Sequence, residues 1–191
     1  MPEVKAAQLS PEWFEARRGL VTASLAAACL GLDPYTSRQK AWRTILETEP
    51  DRQENGAMRW GSEHEAEARA YYEAEAGLFV ETTGLWVHDD YPWLGASPDG
   101  LVGADGLVEI KCPQSLPERV PVHHHLQMLV QLACTGRQWC DYLAWTPEGH
   151  FMRRVSRAGV GGLVHRLKRF YLEHVLTAVD PGRKKRKVKR A

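Results

Sequence analysis

The chain has no long apolar run, no paired-cysteine motif and no leader-like N-terminus. Its longest apolar stretch, Leu25 to Leu32, is eight residues including Gly31. A membrane span needs about 18 or more, so a membrane protein is excluded. The opening MPEVKAAQLSPEW lacks the apolar core of a signal peptide. There are four cysteines, Cys29, Cys112, Cys134 and Cys140, and no CxxC. That spacing argues against a zinc ribbon or an iron–sulfur cluster and predicts reduced thiols in a cytoplasm. No internal repeat occurs, and no low-complexity segment precedes the C-terminal tail. Net charge is also nearly absent, 25 Lys+Arg against 24 Asp+Glu.

That balance hides a split. Seven basic residues fall between Arg183 and Arg190, which leaves 18 basic against 24 acidic residues before position 181. Adjacent like charges repel and resist burial, so 181–191 is predicted to be a disordered tail suited to a polyanion. Residues 1–180 form one domain. A hydrophobic fraction of 43% is that of a globular chain.

Ser10-Pro11 is an N-cap followed by Pro at the first helical position, opening a helix to about Arg18. Further helices are predicted from Thr22 to Leu30, from Ser37 to Glu47, and from Asn55 to Ala76, closed by Gly77. The period then changes from 3.6 to 2. Strands are predicted at Leu78–Thr83, Leu85–His88, Trp93–Ala96 and Leu107–Cys112, separated by Asp- and Gly-rich turns. A helix from Pro121 to Thr135, a strand pair at Gln138–Thr146 and Phe151–Ser156, and a helix from Val160 to Val179 complete the chain. The fold class is α/β or α+β, with a central mixed sheet flanked by helices.

Chemistry concentrates at Ser97-Pro98-Asp99-Gly100 and, ten residues beyond Asp99, Glu109-Ile110-Lys111. Residues i and i+2 of a strand share a face. Glu109 and Lys111 therefore project together, and Val108, Ile110 and Cys112 face the other way. The intervening Gly-Ala-Asp-Gly turn folds the strand back towards Asp99. Two carboxylates and an ammonium then converge, and hard oxygen donors suit Mg²⁺ or Mn²⁺. Such a cation can activate water against a phosphoryl group. A Glu–Lys pair alone is an ordinary feature of sheets, and three further patterns give this one weight. Glu65 lies on the long helix, on a face shared by positions 61, 65, 68 and 72, and would complete a three-carboxylate site. Gln127 and Gln131 sit one turn apart on an otherwise apolar helix, where buried amides need partners, with His124 one turn earlier. Arg17 followed by Ser24 at a helix start can cradle a phosphate.

WFEARRGLVTAS, MRWGSEHEAEA, LGASPDGL, LVEIKCP and HHHLQMLVQLACTG, in this order over roughly residues 10–146, resemble the lambda-exonuclease/YqaJ-like viral recombinase family. That family belongs to the PD-(D/E)xK nuclease superfamily, with its restriction-endonuclease-like core. The resemblance implies a Mg²⁺-dependent nuclease that digests one strand of double-stranded DNA from its 5′ ends. The 3′ overhangs left behind serve phage-type recombination with a single-strand annealing protein, and close members form homotrimers. It implies Asp99 and Glu109 as metal ligands, Glu65 as the helix carboxylate (Glu63 and His64 being the alternatives), Lys111 as the catalytic lysine and Gln127 as the helix glutamine. Arg17, Ser24 and Ser97 match residues that bind the 5′-phosphate, with Arg18 the competing neighbour. Met58 stands where an apolar wedge would split the duplex end. Where the family often has Tyr, this chain has Gln131. A bacterial cytoplasm is the expected location, although Lys184 to Val188, KKRKV, is similar to a nuclear-import signal. Two alternatives stand beside this reading: an endonuclease or RecB-like repair nuclease of the same superfamily, and a non-catalytic DNA-binding protein that uses the basic tail.

Overall fold

Local signals start two of the helices, where a serine side chain caps the first turn. The computed structural model describes residues 3–5, 10–46 and 56–179. The basic tail and the wedge side chain of Met58 lie outside the described residues. After a short strand β1 (Glu3–Val4), Ser10 Oγ accepts the Trp13 N–H at 3.2 Å and opens α1 (Pro11–Ala16). The helix expected from Thr22 starts later. Val21–Thr22 is instead strand β2, a 3₁₀ turn follows at Ala23–Leu25, and α2 is only Ala26–Cys29. The reason is non-local: the Val21 N–H donates to the Trp93 carbonyl at 2.8 Å, and the sheet claims both residues. Ser37 caps α3 (Arg38–Ile45) through the Lys40 N–H. The Ala- and Glu-rich stretch after it forms α4 (Gly56–Ala76), as helix propensity favours. Gly77, at φ +62°, ends it.

Short strands follow: β3 (Val80–Glu81), β4 (Leu85–Val87), β5 (Leu94–Ala96), β6 (Gly100–Val102) and β7 (Gly106–Lys111). The first is shorter than the expected Leu78–Thr83 because Phe79, 80% exposed, stands off the sheet. Helix α5 (Val122–Thr135) leads to β8 (Trp139–Thr146), β9 (Gly149–Ser156) and α6 (Val160–Phe170). The last helix continues through a π turn at Tyr171–Val175 into α7 (Leu176–Val179).

The strands make two mixed sheets where the sequence suggested one. Their orders are β1-β4-β5-β2 and β3-β6-β7-β8-β9. In the second, β7 and β8 run parallel and are joined through α5, the crossover that parallel neighbours require. Strand β7 is buried from Gly106 to Ile110, because helices cover both of its faces. Leu107, Tyr142 and Ala144 pack into the core with α2, α5 and α6. Val108, Ile110, Leu143 and Trp145 pack with Ala68 and Tyr72 of α4. Helix α4 is also tied down by a polar contact. The Tyr72 hydroxyl donates to buried Asp141 at 2.8 Å, and Arg154 holds the same carboxylate with two bonds of 2.8 Å.

The turn between β5 and β6 joins the two sheets and carries Asp99. Its next residue, Gly100, tolerates no side chain, because a Cβ there would lie 2.1 Å from Val80 Cγ1. Among the described residues no helix is long and apolar enough to cross a membrane.

Candidate active site

Strand β7 delivers Glu109 and Lys111 to the α5 side, where the period-2 pattern places them. Glu109 is fully buried. Its Oε1 accepts from Gln127 Nε2 at 2.6 Å and pairs with Lys111 Nζ. Its Oε2 accepts from Gln131 Nε2 at 2.5 Å. The two glutamines lie one turn apart on α5, so one helix face serves both oxygens. This answers why an amide is buried on an apolar helix.

Asp99 reaches the same place from the inter-sheet turn. Its Oδ2 accepts the Ile110 N–H at 2.7 Å, which locks it beside the Glu109–Lys111 strand. Burial and then the neighbouring Glu109 raise its pKa from the usual carboxylate range to about 7, against the opposing pull of Lys111 and the Ile110 N–H. For Lys111 burial works against the charge, but Glu109 and Asp99 outweigh it and hold the ammonium above its ordinary pKa. Lys111 is therefore a cation at neutral pH. Behind it, His124 Nδ1 and the Tyr142 hydroxyl share a hydrogen bond of 3.0 Å. Burial, with Lys111 adding to it, lowers His124 to about 3, so this imidazole is neutral.

Glu65 stands at the edge of this cluster on α4. It is about half exposed, lies 3.6 Å from Arg69, and adds to the negative field at Asp99. Its neighbours point elsewhere. His64 Nδ1 bonds the Trp60 carbonyl at 2.9 Å and its ring lies on the Trp60 ring. Glu63 is exposed. Among the described residues no three His, Cys, Asp or Glu side chains are grouped to hold a metal ion as they stand. The Glu109 oxygens are already engaged by Lys111 and the two glutamines.

A second cluster forms around Trp13. Its indole N–H donates to Ser97 Oγ at 3.1 Å, and the Arg17 guanidinium lies 3.8 Å above its ring. Arg17 Nη2 reaches Thr22 Oγ1 at 3.4 Å, and Thr22 Oγ1 is 3.3 Å from Ser24 Oγ. Arg17, Ser24 and Ser97 are thus gathered by Trp13 and Thr22. Arg18 pairs with Glu15 on an exposed surface instead. Ser97 is two residues before Asp99, so one short turn belongs to both clusters.

The model of the YqaJ-like viral recombinase domain matches residues 12–138. The chain belongs to the YqaJ-like viral recombinase family. Both clusters, from Trp13 to Gln131, lie inside the YqaJ-like match. The structure is similar to an alkaline exonuclease from Laribacter hongkongensis, LHK-Exo, at 35% identity and a TM-score of 0.76, covering 95% of this chain and 100% of that one. It is similarly close to LHK-Exo in complex with dAMP, at 35% identity, a TM-score of 0.77 and the same coverage. A phage-related exonuclease from Haemophilus somnus 129PT shares the fold at 13% identity, with a TM-score of 0.64 over 82% of this chain and 92% of that one. No match is found among curated proteins.

Several residues in or beside these clusters carry no role in the sequence reading. Trp13 and Thr22 belong to the same N-terminal pattern as Arg17 and Ser24, which assigns neither of them a role. Gln131 sits one turn from Gln127, a visible signal, yet its role stayed open. Tyr142 gives no signal in the sequence, since its neighbour Glu109 is 33 positions away. Arg69 has one, its i,i+4 spacing from Glu65.

Proposed function

We propose that this chain is a divalent-cation-dependent exonuclease that digests one strand of double-stranded DNA from its 5′ end. The observation that carries this reading is the shared Ser97–Asp99 turn, which couples the Arg17–Ser24–Ser97 polar cluster to a carboxylate–lysine cluster. The alkaline exonuclease activity named for the Laribacter neighbour supports it, as does that protein's complex with dAMP, a 5′-phosphorylated deoxynucleotide.

The donor set fits a hard divalent cation, Mg²⁺ or Mn²⁺. Asp99 and Glu109 crowd two carboxylates together, burial and then the Glu109 charge raise the pKa of Asp99, and Glu65 adds a third acid at the edge. When bound, the cation supplies Lewis-acid polarisation of the phosphoryl group and lowers the pKa of water. The protein's own groups do the rest. Arg17 grips the terminal 5′-phosphate through charge-assisted hydrogen bonds, with the Ser24 and Ser97 hydroxyls beside it. Lys111 presents a fixed positive charge where the phosphoryl oxygens gain negative charge. Gln127, anchored on Glu109, orients the attacking water, and Gln131 keeps Glu109 from turning away. Water adds to phosphorus, the bond to the 3′-oxygen breaks, and a 5′-mononucleotide leaves. The remaining strand carries a new 5′-phosphate, the group the Arg17 cluster receives, so the polarity sustains itself.

By family likeness the working form is a homotrimer in a bacterial cytoplasm. There it makes 3′ overhangs for a single-strand annealing protein in phage-type recombination. Mg²⁺-dependent loss of linear duplex, with covalently closed circles spared, is the expected result. Nicking of closed circles would favour the endonuclease alternative, and full activity in Lys111→Ala would remove Lys111 from the chemistry. Binding without cleavage would favour the non-catalytic one.

A further inference from the structure

Arg69 is the one long cation of α4 that reaches the catalytic turn among the described residues. Its helical neighbours on either side, Ala68 and Tyr72, are fully buried, and Tyr72 is bonded to Asp141. The helix therefore cannot roll, and Arg69 is presented from a fixed base. Its Nη2 donates to the Asp99 carbonyl at 2.8 Å, across 30 residues of sequence. The same guanidinium lies 3.6 Å from Glu65 Oε1, and its side chain is 23% exposed. Its Nη1 is buried with no hydrogen-bond partner among the described residues. Burying a donor without an acceptor costs stability, so packing alone gives no reason for a guanidinium here.

The Asp99 carbonyl is a telling target. The residue's carboxylate is already fixed from the other side by the Ile110 N–H. Held at both ends, the turn cannot shift relative to β7 or to α4. Ser97, two residues earlier, contacts Trp13 in the phosphate cluster. One guanidinium thus reaches the elements that carry Glu65, Asp99 and, through the turn, Ser97.

We infer that Arg69 is a positioning residue that pins the Ser97–Asp99 turn to helix α4 and so sets the spacing of the Glu65 and Asp99 carboxylates. The inference rests on the proposed cation-dependent nuclease. Groups that orient metal ligands from outside typically change cation affinity by about 10–100-fold when altered. A purely electrostatic role makes the opposite forecast, because deleting a positive charge beside a cation site tightens cation binding.

The test uses the full-length protein, wild type, Arg69→Lys and Arg69→Gln, with Mn²⁺ alone as the calorimetric probe. Thermal unfolding of each variant is recorded in parallel. Lysine keeps the charge but loses the forked reach to both partners. Both variants are expected to bind Mn²⁺ at least about tenfold more weakly. At fixed sub-saturating Mn²⁺ they should lose kcat with little change in KM for 5′-phosphorylated duplex. Wild-type affinity in Arg69→Lys, or tighter binding in Arg69→Gln, overturns the inference. Should Arg69→Gln fail to fold, Arg69→Lys decides alone. Wild type that neither binds Mn²⁺ nor cuts DNA sinks the nuclease reading, and this inference with it. Wild type that does both while Arg69→Lys matches it sinks the inference only.

Discussion

Replacing Asp99 with Asn should abolish cleavage and yet stabilise the cation-free protein above neutral pH. Burial and Glu109 raise the folded pKa of Asp99 from 3.8 to about 7. A carboxyl raised in this way binds its proton more tightly when folded. Stability from that proton is present below the unfolded pKa and is lost as pH climbs through the folded one, from about 4 to about 7. Three pKa units at 1.36 kcal/mol each set a ceiling of roughly 4 kcal/mol. Asp99 is only partly shielded from solvent, which reduces this to about 2 kcal/mol. For a chain of this length that is about 4–8 °C in Tm. Asn keeps an oxygen for the Ile110 N–H and carries no charge. In chelator, wild type and Asp99→Asn should unfold in urea at similar midpoints near pH 4.5, and the variant should lead by about 2 kcal/mol at pH 8. A divalent cation at 100 times its Kd should return about 2.7 kcal/mol to the wild type and much less to the variant. A variant no more stable than wild type at pH 8 would refute the claimed cost of burying the Asp99 charge beside Glu109.

Two further substitutions probe the supports of the site. Gln131→Met keeps the volume but leaves the fully buried Oε2 of Glu109 without its donor. It should cost about 1.5–3 kcal/mol in urea unfolding and lower kcat; an unchanged midpoint and rate would show that Glu109 does not depend on it. Tyr72→Phe removes one of three hydrogen bonds to Asp141, with Arg154 still in place. The expected loss is about 1 kcal/mol, with DNA cleavage per folded molecule retained. A Tm equal to wild type would mean that this link does not hold α4.

What the sequence disclosed divides by how local its signal is. Asp99, Glu109 and Lys111 are legible because a turn and a period-2 strand place them within thirteen positions. A bond from the Ile110 N–H to the Asp99 carboxylate then joins the turn to the strand. The Trp13 cluster is half legible. The spacing of Arg17 and Ser24 is visible, but Ser97 joins them through Trp13, 84 positions away. Thr22 illustrates the opposite failure. The segment from Thr22 to Leu30 is rich in Ala and Leu and has every local reason to be helix. Pairing with Leu94–Gly95 overrides that preference. The division into two sheets follows from strand register, which depends on partners far along the chain. Tyr142, and the reach of Arg69 to Asp99 across 30 positions, are hidden for the same reason.

The central claim is that an anchored 5′-phosphate directs cleavage. It is tested most directly with duplexes labelled at the 3′ end of one strand, bearing either 5′-phosphate or 5′-hydroxyl, in Mg²⁺. Charge-assisted contacts worth about 1.5–3 kcal/mol translate to roughly 10–150-fold in initial rate. Wild type should shorten the labelled strand from its 5′ end, favouring the 5′-phosphate at least tenfold, and Arg17→Ala should erase the preference. Immediate release of labelled mononucleotide, or equal rates on the two ends, would contradict it.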